Sequence, residues 1–252
     1  MKAITSTMCL AAIMRLVVLR ADPAWCDSTN DIEKAYNELV SADDWRKARV
    51  ASEKLSSYGD AALPFILNGS KHEDGKVREY CYEILYSKFP KHPKSIQAVI
   101  EGLDDREQRI RFICAFHLGT NRIAEAKKAL KACLEDGSQD DGIRLTVAKS
   151  LAELGDRSVM CTLYAGLGSD NGHTRYLSSI GIKALCGKDL TDFGYEGPWE
   201  GAFVSAGQEF RVIGQPIEKA KKSLARWEAI LAFLKWLEKN RPELFKELDN
   251  LG

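Results

Sequence analysis

Apolar positions recur at helical spacing along most of the chain, and a single basic residue interrupts them at a regular interval. Four arginines are each followed seven residues later by an aliphatic residue, and they lie 33, 33 and 31 residues apart: Arg78, Arg111, Arg144 and Arg175. An earlier, more degenerate copy ends on Leu55, which lies 30 residues before Leu85. The pattern predicts about five copies of one structural unit.

Each copy predicts two short helices joined by a turn. Apolar residues follow the arginine at a spacing of three and four, as Val147 and Leu151 do after Arg144. Glycine then marks a turn at Gly59-Asp60, Gly119-Thr120 and Gly155-Asp156, and a second apolar segment follows. One such pair cannot bury its own apolar face, but stacked pairs can. The predicted fold class is all-α: an α-solenoid of about five helix pairs with a C-terminal helical cap.

The domain organisation follows from where this period holds. Residues 30–186 are predicted to form the repeat solenoid, 187–213 an irregular segment rich in glycine and aromatic residues, and 214–252 the capping helices. Residues 1–24 are a candidate signal peptide, because an apolar run follows Lys2. This run favours export to the periplasm over a cytoplasmic location, whereas an odd count of seven cysteines favours a reducing compartment.

The C-terminal part departs from the repeat. The segment 202–213 is the one stretch where a short hairpin is conceivable. After Pro216 a long helix is predicted, with an apolar seam at a spacing of three and four: Ile217, Ala220, Leu224, Trp227, Leu231 and Leu234, widened by Phe233 and Leu237. Lys219, Lys222 and Arg226 form a basic stripe beside it, predicted to be solvated, with an acidic partner as the alternative.

Composition and motifs disfavour several classes of function but do not select one. The 252 residues carry a formal net charge of zero, which disfavours nucleic-acid binding. Cysteines and histidines do not fall at metal-ligand spacing, and no motif of an acyl, phosphoryl or dinucleotide site occurs in the sequence. No cofactor and no metal are predicted. Glu79 and Glu83, one helical turn apart, are predicted to be a solvated face rather than an acid–base pair.

The repeated pattern of aspartate, then valine or isoleucine with arginine, and then leucine-glycine near every 31 residues resembles the short HEAT repeat. This group includes the HEAT-like repeats of phycobilisome lyases, and the resemblance covers about residues 44–186. The C-terminal part is also weakly similar to the tails of some bacterial HEAT-repeat proteins. The resemblance implies that the arginine-bearing helices line a concave face. It also implies a structural ladder of ion pairs between Asp74, Asp105, Asp141 and Asp170 and the arginines Arg78, Arg111, Arg144 and Arg175.

The resemblance also selects a candidate binding surface. Residues one and five positions after each arginine are expected to face the concave side, where solvent is the usual neighbour. Here five are apolar, namely Phe112, Phe116, Leu145, Tyr176 and Ile180. The predicted partner-binding set adds Lys149 from the same positions and Tyr82, which lies one position away from them. Exposed apolar area of this kind marks a binding surface. One alternative is internal, with the aromatic segment 187–208 folding back over this groove. The other is that the helical register differs by one position from the one that places these residues on the concave side.

Three functions are compatible with these features. The leading hypothesis is a non-enzymatic scaffold that binds a protein or peptide on its concave face. The second is a lyase-like or chaperone-like protein that handles a prosthetic group. The third, a binder of the DNA backbone, is disfavoured because only Lys149 balances Glu79 and Glu83 in the predicted row. The sequence predicts neither the partner nor the oligomeric state.

Overall fold

The computed structural model describes residues 23–195 and 216–251, and every regular element in those ranges is a helix. The all-α prediction is therefore confirmed for the described chain. Residues 1–22 and 196–215 lie outside it, and so do the candidate signal peptide and the conceivable hairpin at 202–213. No described helix is both long and apolar enough to cross a membrane.

The chain divides into two compact units, Met1–Phe89 and Pro90–Gly252. In the first unit, α1 (Pro23–Val40) packs on α2 (Trp45–Ser57), and both α2 and α3 (Leu63–Gly69) pack on α4 (Gly75–Lys88). A 3-10 turn at Gly59–Ala62 precedes α3. The Tyr80 hydroxyl of α4 donates a hydrogen bond to the Trp45 carbonyl at the start of α2, over 2.8 Å. This bond ties the first turn of one helix to the middle of the other.

The second unit contains two rows of helices. The arginine-bearing helices α6 (Gln108–Thr120), α8 (Asp141–Glu153) and α10 (Gly172–Cys186) pack side by side in that order. The second row contains α7 (Lys127–Glu135), which packs on α8, and α9 (Met160–Leu167), which packs on α8 and α10. Helix α5 (Pro93–Glu101) packs on α6. This alternation is the solenoid-like arrangement that the period predicts; whether 30–186 form one continuous solenoid stays a prediction.

The core of the second unit consists of the apolar positions that the period selects. Val147 and Leu151 are fully buried in α8, as are Cys114 and Leu118 at 0–1% exposure in α6. Among the cysteines that the structure describes, Cys161 is half-buried and the others are buried: Cys81, Cys114, Cys133 and Cys186. Burial raises the pKa of the Cys81 thiol to about 12, which keeps it protonated and unreactive.

Short polar residues lie at or next to the start of each arginine-bearing helix. Asp74 caps α4, because its carboxylate accepts a hydrogen bond from the Lys76 amide over 2.8 Å. In α8 the capping residue is Asp140, directly before Asp141, and in α10 it is Asn171, directly after Asp170. Asp105 accepts a bond from the Glu107 amide and does not cap α6. A short polar side chain is needed near each start, but spacing alone does not decide which of two neighbours takes the role.

One of the three predicted turns is wrong. Gly59 and Gly155 have φ of 56° and 77°, as residues just past a helix end do. Gly119, however, lies inside α6, which continues to Thr120, and the left-handed residue after this helix is Arg122. An ideal Cβ on Gly119 would lie 2.5 Å from the Cα of Ser150. The glycine therefore allows close approach of α6 and α8 rather than a turn.

The repeated arginines share a contact with the backbone. In Arg78, Arg111 and Arg175 an Nη1 donates a hydrogen bond to the carbonyl six residues earlier, over 2.8–2.9 Å. Each guanidinium thus closes the loop in front of its own helix. Arg144 is exposed and makes no such bond within the described part of the chain. The ion-pair ladder that the family resemblance implies stays a prediction.

The C-terminal helix α11 (Pro216–Asn240) packs through a face different from the predicted seam. Its buried side chains are Arg226, Ala229, Ile230, Phe233 and Leu237, whereas Leu224, Trp227 and Leu231 are 61%, 48% and 56% exposed. The seam prediction is therefore wrong for these three residues; the side chains of Ile217 and Ala220 lie outside the described set. Both faces of α11 carry apolar residues at helical spacing, and aromatic packing decides between them, because the Phe193 ring lies 5.6 Å from Phe233.

The prediction that Arg226 is solvated is also wrong. It is 7% exposed, and its Nη1 donates to the Ser169 carbonyl over 3.0 Å, the same carbonyl that Arg175 bonds. Its Nη2 lies 3.4 Å from the Asp170 carboxylate. The chain then continues through α12 (Pro242–Phe245), and the Cys161 thiol of α9 donates to the Glu247 carbonyl. Two separate points of the C-terminal part are thus bonded to the last repeats.

A buried carboxylate joins α7 to the turn before α9. Asp156 lies 2.8 Å from the Lys131 Nζ and 3.5 Å from the Lys127 Nζ. Burial acts to raise the pKa of this carboxyl, but hydrogen bonds from Lys131 and Ser158 outweigh it and lower the pKa to about 2. Ionised Asp156 therefore stabilises the junction between α7 and α9.

We expect Asp156→Asn to lower the free energy of unfolding at pH 7 by about 1–2 kcal/mol, a value reduced for solvent screening of the half-exposed lysines. Because the folded pKa lies below the unfolded one, the contribution is complete above about pH 4 and is lost as the pH falls towards 2. Urea unfolding of the wild type and the variant between pH 7 and pH 2 measures the difference in the free energy of unfolding. The variant and the wild type should converge at the acid end, and a constant difference across this range would contradict the assignment.

Candidate functional site

The aromatic residues predicted from the repeat meet on one side of the second unit. The rings of Phe112 and Phe116, one turn apart on α6, are stacked with centroids 6.3 Å apart. On α10 the His173 and Tyr176 rings are stacked at 6.4 Å. Phe112 and His173 approach to 5.7 Å although helix α8 lies between their helices in the row. We call these four residues the aromatic row: Phe112, Phe116, His173 and Tyr176.

The backbone spacing of the helices explains how rings from α6 and α10 can meet. Gly119 lets α6 lie close to α8, and the Ser150 hydroxyl of α8 donates to the Ala115 carbonyl of α6 over 2.7 Å. Helix α10 packs along the other side of α8. All four side chains of the aromatic row are half-buried. The rings thus contact one another and remain partly accessible to solvent.

A buried lysine lies directly beneath the row. Lys149 of α8 is 1% exposed, and its Nζ lies 3.8 Å from the centroid of the Phe116 ring. The same Nζ donates to the Thr120 hydroxyl over 2.9 Å and lies 2.8 Å from a Glu153 carboxylate oxygen. Burial lowers the pKa of the Lys149 ammonium, while Glu153 opposes this by stabilising the charged form. The ring face adds a cation–π contact.

The row presents little charge to solvent at neutral pH. Burial, and then the nearby Lys149, lower the pKa of His117 to about 4, so this imidazole is neutral at pH 7. Burial also lowers the pKa of His173. The ion pair between Lys149 and Glu153, next to the row, lies below the surface with side chains 1% and 16% exposed. The four side chains of the aromatic row themselves therefore carry little charge at neutral pH.

The other predicted site residues do not have the exposure that the family resemblance implies. Leu145 and Lys149 are buried in α8, and Tyr82 is buried in the first unit. All three were predicted to lie on a solvent-facing concave surface. Ile180 is half-buried. In α8 the flanking helices α6 and α10 cover both sides, which removes its middle positions from water. The expectation of exposure is wrong at these three residues; a binding role for the half-buried ones stays a prediction.

Four residues at or beside the aromatic row were not predicted from the sequence: His117, Thr120, Glu153 and His173. Helical spacing could have found two of them, because His173 lies three residues before Tyr176 and Glu153 lies four after Lys149. His117 and Thr120 lie on α6, and only tertiary packing brings them to Lys149. The described part of the segment 187–208 packs on α11 through Phe193, and its residues 196–208 lie outside the described chain. Whether that segment covers the row is therefore untested.

No known protein family and no characterised protein matches this sequence. The likeness to HEAT repeats rests on the residue pattern alone and stays a resemblance. In the ranges that the structure describes, no three His, Cys, Asp or Glu side chains converge on a point where a metal ion could bind.

Proposed function

We propose that this protein is a non-enzymatic helical-repeat scaffold that binds a protein or peptide partner through the aromatic row. The observation that carries the proposal is the contact of half-buried rings from α6 and α10 across the intervening helix. Aromatic side chains supply much contact area with few torsions to freeze, which makes them the usual anchors of protein interfaces. Here neighbouring rings and Lys149 already hold them in place.

The electrostatics select the kind of partner. The histidines carry lowered pKa values and the lysine is paired below the surface, so a phosphate or an acidic segment finds no accessible positive charge within the row itself. An apolar or aromatic side chain, by contrast, can displace poorly held water from the exposed ring faces. We infer that the partner inserts apolar or aromatic residues, presented on an extended or helical peptide.

A displayed peptide library selected on the purified full chain tests this proposal. We expect enriched peptides to carry apolar or aromatic residues, and Phe112→Ala and Tyr176→Ala each to weaken their binding at least about tenfold, or about 1.4 kcal/mol. Titration calorimetry measures the dissociation constants, and circular dichroism verifies that the variants fold.

Tyr164→Ala is the matched control, since Tyr164 is a half-buried aromatic residue of α9 in the other row of the same unit. It should leave the affinity within about twofold. Peptides that bind Phe112→Ala and Tyr176→Ala as tightly as the wild type would show that the binding surface lies elsewhere.

A further inference from the structure

His173 is the member of the aromatic row whose charge can change near neutral pH. Its imidazole lies between two other rings of the row, with centroids 5.7 Å from Phe112 of α6 and 6.4 Å from Tyr176 of α10. Histidine is the side chain whose ordinary titration falls between pH 5 and 8. A proton on this ring therefore places a positive charge among the rings that the proposed partner would contact.

The position of His173 in the fold opposes that charge. The neighbouring rings exclude water from part of the imidazole, and this burial lowers the pKa of His173. His173 is also the second residue of α10, and its amide donates a hydrogen bond to the Asn171 side chain over 2.9 Å. A helix start carries a partial positive charge, which disfavours a cation there. The imidazole is thus neutral at pH 7.

The charged groups on the helices packed around His173 do not titrate between pH 5 and 8. Lys149 of α8 is paired with Glu153 over 2.8 Å, and Arg226 of α11 lies 3.4 Å from Asp170, three residues before His173. Helix α9 carries no charged residue. The pKa of His117 on α6 is about 4, so that ring stays neutral in this range. The arginines of α6, α8 and α10 remain positive throughout: Arg109, Arg111, Arg144 and Arg175.

An apolar partner on the row would bury the imidazole further. Because burial costs the protonated form more than the neutral form, the pKa of His173 would be lower in the complex than in the free chain. The affinity is then complete above the free-chain pKa and falls as the pH drops through it, until the complex is protonated as well. Each unit of difference between the two pKa values corresponds to about a tenfold loss of affinity.

We propose that His173 makes the aromatic row a pH-sensitive binding surface, which holds an apolar partner at neutral pH and releases it when the imidazole is protonated. The proposal rests on the function proposed above, because it concerns the same surface. The charge appears inside the contact itself, so release requires no rearrangement of the helices.

A peptide selected at pH 7.5, with blocked termini and without histidine, aspartate or glutamate, is a probe that does not itself titrate between pH 8 and 5. In calorimetry on the full chain, we expect its dissociation constant to rise about five- to tenfold from pH 8 to pH 5. His173→Phe keeps a ring at this position but cannot be protonated there. Its dissociation constant should therefore stay within about twofold over the same range.

His92→Phe is the matched control. His92 is a half-buried histidine of the same unit, directly before α5 and outside the aromatic row, so this variant should keep the wild-type pH dependence. Circular dichroism at both ends of the pH range verifies that each variant remains folded. NMR titration of the His173 ring, assigned by its absence from His173→Phe, should show a lower pKa with the peptide bound than without it.

The outcomes separate this proposal from the one on which it rests. If Phe112→Ala does not weaken the peptide at pH 7.5, the peptide binds elsewhere and both proposals are overturned. If Phe112→Ala does weaken it, the binding surface stands. An affinity that is constant from pH 8 to pH 5, or a pH dependence that His173→Phe retains, would then overturn the role of His173 alone.

Discussion

Gly119→Ala should destabilise the second unit by about 2–3 kcal/mol, although alanine is the better helix former. The added Cβ would lie 2.5 Å from both the Cα and the Cβ of Ser150, and the backbone atom cannot move aside by a side-chain rotation. Helices α6 and α8 would have to separate, which strains the bond from the Ser150 hydroxyl to the Ala115 carbonyl. Urea unfolding followed by circular dichroism gives the change in free energy.

Gly137→Ala provides the comparison for this prediction. An ideal Cβ on Gly137 meets no atom within 4 Å, and its φ is not positive, so the substitution should change stability by less than about 0.5 kcal/mol. The separation of α6 and α8 should also disturb the aromatic row, which depends on their spacing. An unaltered unfolding midpoint for Gly119→Ala would contradict the close approach of α6 and α8 at Gly119 and Ser150.

Glu153→Gln should cost about 3 kcal/mol in the free energy of unfolding, because it leaves the buried Lys149 ammonium without its counter-charge. The glutamate oxygen lies 2.8 Å from Nζ, and the remaining partners are the Thr120 hydroxyl and the Phe116 ring. A neutral amide can accept a hydrogen bond but does not offset the desolvation of the charge. Denaturant unfolding at pH 7 measures the loss.

The double variant Lys149→Met/Glu153→Gln separates this cause from a general loss of packing. Methionine has a similar length and carries no charge, so the double variant should recover to within about 1 kcal/mol of the wild type. If each side chain instead stabilised the fold through its own packing, the double variant would lose the sum of the two single losses in the free energy of unfolding. Recovery also predicts intact peptide binding, since the methionine would occupy the place of Lys149 beneath the aromatic row.

Much of the fold was predictable from the sequence because the repeat encodes it. The arginine at a fixed distance before an aliphatic residue predicted α4, α6, α8 and α10, and positions such as Val147 and Leu151 are buried as the helical spacing requires. Phe112, Phe116 and Tyr176 were predicted from the same register and do lie together with His173. Local periodicity carries this information because every copy contributes to it.

Features set by neighbouring helices were not predictable in the same way. Lys149 is buried because its partners, Thr120 and the Phe116 ring, come from α6. The residue spacing within α8 cannot predict partners that lie on another helix. In α11 both faces have apolar residues at helical spacing, so the sequence pattern could not select the face that Phe193 covers. Gly119 resembled a turn residue because glycine serves both turns and close helix contacts. In each case the deciding atom belongs to another element.

The shared acceptor at Ser169 joins the stability of the last repeat to that of the C-terminal helix. A carbonyl oxygen has two lone pairs, and here Arg175 of α10 and Arg226 of α11 occupy them together. If α11 detached, the Arg226 guanidinium would lose both the Ser169 carbonyl and Asp170, and the loop before α10 would lose one of its two ties. We therefore expect α10 and α11 to open together in hydrogen exchange, because neither can open without breaking bonds that hold the other.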